Sequence, residues 1–148
     1  MKYIYILCSL CLMIISLAQL SSCHSNLNIE TAQYAVNGQK LYTIHCKNCH
    51  GGKGEGLGKL YPPLTDQKFL TENRSLLSCI IKNGIDGELV INGEKYNQKM
   101  PANATLTDTD IAYILTYITT TFGKSDTIYS TKEVQEALNQ CSSNTKAL

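Results

Sequence analysis

The 148-residue sequence predicts an all-α fold of about four to five helices, interrupted by one short β-hairpin and closed by an extra C-terminal helix. Three observations carry that expectation. Ile111, Ile114, Leu115, Ile118 and Phe122 form one helical stripe, and Leu76, Leu77, Ile80 and Ile81 form a second apolar face at i, i+1, i+4, i+5. The third is that strand-like patterning is confined to one place, the residues on either side of Asn92-Gly93.

The elements follow in chain order. Lys2 and an almost wholly apolar run from Tyr3 to Leu20 precede Ser21, Ser22 and Cys23, the pattern of an export signal. Leu20-Ser21-Ser22-Cys23 resembles a bacterial lipobox, which makes residues 1–22 a signal peptide of the lipoprotein type and Cys23 the lipid-bearing first mature residue. An uncleaved membrane helix is the competing reading, because the run is near the roughly 20 residues a bilayer needs. Either reading puts the remainder outside the cytoplasmic membrane, on the periplasmic side, where disulfides persist. Residues 23–31 then form the lipidated N-terminus and linker.

From about Thr31 to Ile44, apolar Tyr34, Leu41 and Tyr42 recur with a helical lean. Cys46-Lys-Asn-Cys49-His50 comes next, and C-x-x-C-H is the spacing at which haem c is attached covalently. Both thiols fit one helical turn and can add across the two vinyl groups of one porphyrin, with His50 held beneath it as the proximal iron ligand. A dithiol redox pair, half of a zinc site or part of a disulfide are the alternatives for a bare C-x-x-C. Zinc lacks a second ligand pair, since Cys79 and Cys141 are isolated, and a thioredoxin-like site lacks its βαβ pattern. One motif implies one haem.

Gly51, Gly52, Gly54, Gly56 and Gly58 make a flexible loop in which backbone is expected to approach a large planar group. No Gly-Lys-Ser/Thr follows, so it is not a phosphate loop. The apolar face at 76–81 predicts a short helix with Gly84 as its C-terminal cap. Asn92-Gly93 inside Leu89–Tyr96 then predicts a hairpin that delivers the chain to Met100. Met100 is the only methionine beyond the signal, and it lies in the polar stretch 97–105, a poor setting for a core side chain. Pro101 biases it toward extended backbone, suited to a loop that presents a thioether to a metal. Met100 is therefore expected to be the distal ligand. His45, on the attachment turn, and His24, beside Cys23, are expected to be exposed polar residues.

Thr107 with Asp110 resembles a capping box at the start of the helix that carries the 111–122 stripe. In the tail, Ser130 to Glu133 reads as a second box, followed by Val134, Ala137, Leu138 and Cys141 at i, i+3, i+4, i+7. Cys79 and Cys141 both fall on or beside apolar faces in an oxidising compartment. They are read either as a disulfide or as two buried free thiols.

Composition excludes several partner classes. The formal net charge is +1, and Lys2 is the one charged residue of the first 22, leaving 12 Lys+Arg against 12 Asp+Glu. No basic patch suggests nucleic acid, no acidic tail suggests a solvating segment, and no repeat suggests a solenoid or multihaem array.

These residues carry a family resemblance: 32–123 resembles a class I cytochrome c domain, with 124–148 as a C-terminal extension. The resemblance implies that Gly38 and Tyr42 cross the C-terminal helix near Tyr117. It implies also that the carbonyl of Pro62, twelve residues after His50, accepts the proximal imidazole's N–H and tunes its basicity. Gly87–Tyr96 leading to Met-Pro, and a helix ending Phe122-Gly123, resemble modules that accompany respiratory oxidases, copper nitrite reductases and quinoprotein dehydrogenases. The chain has no tryptophan, where many relatives place an indole near a haem propionate; Tyr61 or Tyr96 is expected in that place.

His/Met ligation leaves no open site, so the expected protein carries single electrons between redox proteins and is not an enzyme. Its partners are an oxidase, reductase or dehydrogenase, plus the membrane through the lipid, with no small-molecule substrate. Two alternatives stay open: a gas sensor in which Met100 is labile, and a fixed electron-transfer subunit of one complex. A peroxidase would want a distal His/Arg pair or a second haem, and Arg74 is the chain's only arginine.

Overall fold

The computed structural model describes residues 2–18 and 28–141. Cys23, His24 and the expected cleavage site lie outside the described residues. α1 spans Lys2–Ala18, and among the described residues no helix is long and apolar enough to cross a membrane. The other helices are α2 (Ile29–His45), α3 (Lys47–His50), α4 (Gln67–Glu72), α5 (Arg74–Asn83), α6 (Asp108–Thr121) and α7 (Thr131–Asn139). β1 (Leu89–Ile91) and β2 (Glu94–Tyr96) form one antiparallel hairpin.

Local chemistry sets most of these boundaries. Asn28 caps α2 by accepting from Thr31 N at 2.7 Å, and Asp66 caps α4 by accepting from Phe69 N at 2.6 Å. α6 opens on the full Thr107/Asp110 box, in which each side chain bonds the other's backbone N–H. Gly84 ends α5 with φ 73°. Asn92 and Gly93, with φ 53° and 78°, are the two left-handed residues of the hairpin turn, and their register pairs Leu89 with Tyr96.

α6 is buried on almost every side, a departure from the single stripe expected. Ile111, Ala112, Ile114, Leu115, Thr116, Tyr117, Ile118 and Thr119 are all buried, because α2, α5 and α7 each pack against it. Its two buried threonines are satisfied in different ways: Thr119 donates to Leu115 O at 2.8 Å within the helix, and the Thr116 hydroxyl accepts from Tyr129 N at 3.0 Å. α2 crosses α6 at Gly38, where an added Cβ would collide with the backbone carbonyl of Tyr113 and lie 2.8 Å from Tyr117 Cβ. Tyr42, Tyr117 and Phe122 fill the space below with ring centroids 5.3–5.4 Å apart.

The tail is bound to α5. A disulfide joins Cys79 to Cys141 with Cα atoms 5.7 Å apart. Arg74 lies over the Tyr129 ring at 3.7 Å and donates to both carboxylate oxygens of Glu133, at 2.6 and 3.0 Å. The second capping box is accordingly only half formed. Ser130 accepts from Glu133 N at 3.1 Å, but the Glu133 carboxylate is taken by Arg74, since a bidentate ion pair is stronger than one bond to a backbone N–H.

Candidate haem-binding site

α2 ends at His45, and the chain turns at Cys46 into the single turn α3. His50 N donates to Cys46 O at 2.9 Å, so the turn holds both cysteines and the histidine in one compact unit. The Tyr42 hydroxyl donates to Gly51 O at 2.6 Å and ties the end of that turn back to α2.

The loop that follows is folded against itself. Gly56 N donates to His50 O at 2.8 Å, and Leu57 pairs with Tyr61 across a short bridge. Gly56 has φ +71°, and a Cβ there would lie 2.5 Å from Tyr61 O. Gly56 thus serves close contact with the Tyr61–Pro63 backbone and Gly54 with the Phe122 ring; none of the five glycines lines the cleft beside His50, which corrects the expected role of this loop. Its result is to deliver Pro62 to His50.

The His50 Nδ1···Pro62 O distance is 3.0 Å. A carbonyl only accepts, so Nδ1 carries the proton and Nε2 keeps its lone pair. Burial lowers the His50 pKa and so favours the neutral ring, and the bond to Pro62 opposes that shift in part. Burial, and secondarily Cys49, pushes the Cys46 thiol up to about 12.

Met100 comes from the other side of the molecule. Its N–H and carbonyl pair with those of Ile85, both at 3.0 Å, just past the end of α5. Cys46, Cys49, His50, Pro62 and Met100 all line one cleft, whose walls are mostly apolar: Leu77, Ile80 and Ile81 of α5, Leu89, Ile91 and Tyr96 of the hairpin, and Leu115 and Ile118 of α6. Tyr61 and Tyr96 both reach it, and His45 borders it while remaining exposed.

Two thiols, an imidazole nitrogen with a free lone pair and a thioether around one apolar cleft are the donor set that a covalently attached haem requires. The residues present therefore fit the group. The Ile85–Met100 pairing and the anchors beside it had no local signal in the sequence, because each joins residues about 15–25 positions apart. Cys23 falls outside the described residues, and Cys79 and Cys141 lie away from the cleft lining.

Comparison with known proteins agrees with this geometry. A family model for cytochrome c matches residues 35–122. Two curated relatives, both cytochromes c-552 of Thermus thermophilus, are 33% identical to the chain over 92 residues, 60% of its length. The aligned part spans 70% of one relative and 62% of the other.

Proposed function

The chain belongs to the cytochrome c family, class I, whose covalently bound haem c serves electron transfer, and on that premise we propose that it is a membrane-anchored mono-haem carrier. It shuttles single electrons between redox proteins outside the cytoplasmic membrane. In this reading residues 1–22 are the signal peptide, Cys23 bears the lipid, 32–123 form the haem domain and 124–148 the extension. Cys46 and Cys49 would hold the haem through thioether bonds, and His50 and Met100 would supply the nitrogen and sulfur that bind its iron.

The single observation that supports the reading best is that His50 and Met100, fifty residues apart, border the same apolar cleft as both thiols. When bound, the haem supplies a one-electron Fe(III)/Fe(II) couple, poised toward the ferrous state by thioether ligation. The Pro62 carbonyl orients the His50 ring and raises its basicity as a ligand. The apolar walls from α5, α6 and the hairpin exclude water and lower the local dielectric. With His50 and Met100 both holding the iron, no coordination site would be left for a substrate, and the protein would act as a carrier and not as an enzyme. Docking to an oxidase, reductase or dehydrogenase is weak and brief, as low-area redox encounters are. A lipid at Cys23 raises the concentration near membrane partners.

The attachment test is direct. Wild-type protein should keep its haem through denaturing electrophoresis, and the Cys46→Ala/Cys49→Ala double variant should keep none. Haem retained by the double variant would remove the thioether assignment.

A further inference from the structure

We propose that Lys82 is a positioning residue for Met100: its ammonium group clamps the chain just beyond the thioether and sets how readily Met100 leaves the cleft. The proposal rests on the reading of Met100 as the distal ligand. Three anchors hold the connection between the hairpin and α6, and all three go to residues 81–85. Ile85 and Met100 exchange backbone hydrogen bonds at 3.0 Å; Asn103 N donates to Ile81 O at 3.1 Å; Lys82 Nζ donates to Ala104 O at 3.1 Å and to Leu106 O at 2.6 Å.

Among the described residues, Lys82 is the only side chain that hydrogen-bonds the backbone of 101–106. It is suited to the task. An ammonium is a compact charge with three rotatable donors, and it can serve two carbonyls that the chain presents two residues apart. Charge-assisted bonds of this kind are about twice as strong as neutral ones. Leu106 is itself 4% exposed, so its carbonyl has little water to turn to if the ammonium is lost. The clamp also closes a mechanical circuit: Lys82 is on the last turn of α5, whose Leu77, Ile80 and Ile81 form a wall of the cleft.

On this proposal Met100 departs when the segment after it swings off α5. An added ligand binds only the open fraction, so its apparent affinity is scaled by that fraction. Loosening the clamp enlarges the fraction without altering any group that touches the iron.

The test is an imidazole titration of the ferric, haem-loaded protein, followed optically, alongside amide hydrogen exchange of residues 100–106. Lys82→Met should bind imidazole about tenfold more tightly than wild type and exchange these amides faster by a similar factor. Lys82→Arg, which keeps the charge but has a rigid fork, should fall between them. Lys95→Met, which removes only the exposed Lys95–Glu88 pair, should match wild type. Met100→Ala should bind more tightly than all of these.

A tight Met100→Ala with Lys82→Met at the wild-type value would overturn the role of Lys82 and leave Met100 as ligand. Equal affinities for Met100→Ala and wild type would overturn both. Should Lys82→Met not load haem, Lys82→Arg with wild-type affinity and exchange would equally end the proposal.

Discussion

Gly38 is the residue on which the interior depends most sharply. An alanine there would put its Cβ into the Tyr113 carbonyl, and the obstacle is backbone, which cannot rotate away. Helix propensity favours Gly→Ala by about 1 kcal/mol, but overpacking at a helix crossing costs more. We expect Gly38→Ala to lose about 3 kcal/mol, read as a lowered guanidinium midpoint with an unchanged slope. A stability equal to wild type would mean that α2 can shift off α6 at no cost. The sequence made the haem-site residues legible because their chemistry is local: two thiols and an imidazole within five positions, and one methionine placed in a polar loop. It left the crossing at Gly38 and the Pro62 bond to family resemblance, since neither has a signature of its own. The glycine loop misled for a related reason. Glycine announces a close approach without saying what approaches, and here it is the Tyr61–Pro63 backbone.

At the scale of elements, the legible ones were those with a strong local code: the α6 box, the Asn92-Gly93 turn, and α5 with its glycine cap. α4 was missed, being a single six-residue helix whose sole signal is Asp66. The second capping box was read from a pattern that a distant residue, Arg74, reassigns. That reassignment makes the tail's attachment testable by pH. Burial is the main reason that Tyr129 is pushed up to about 12, with Arg74 opposing and Glu133 adding to the rise. A raised pKa favours the fold while the unfolded phenol is still protonated, so the contribution is complete below about pH 10. It is lost as pH rises from there toward 12. Tyr129→Phe removes the bond from the Tyr129 hydroxyl to Arg74 O, and should cost about 1 kcal/mol at pH 7. By pH 11 the difference should shrink, because only the wild type then loses stability through this group. Two denaturation curves that decline in parallel from pH 7 to 11 would contradict this attachment.

The whole molecule is a helical shell whose two halves each bring one side of the cleft. The turn at Cys46 and α3 carry Cys46, Cys49 and His50; Ile85, just past the end of α5, holds Met100 by its backbone. The near-zero net charge is in keeping with a carrier that meets partners briefly and by small surfaces. The exposed lysines near the hairpin are paired with acids, Lys59 with Glu94, Lys95 with Glu88 and Lys99 with Asp86, so this face presents little unbalanced charge. Everything in the proposed function turns on both axial positions being occupied by the protein. An optical redox titration of the haem-loaded protein, recorded with and without CO, measures that most directly. A single one-electron wave at positive potential with no CO adduct is the predicted result; a low potential with ready CO binding would contradict Met100 as a firm ligand and make the chain a gas-binding protein.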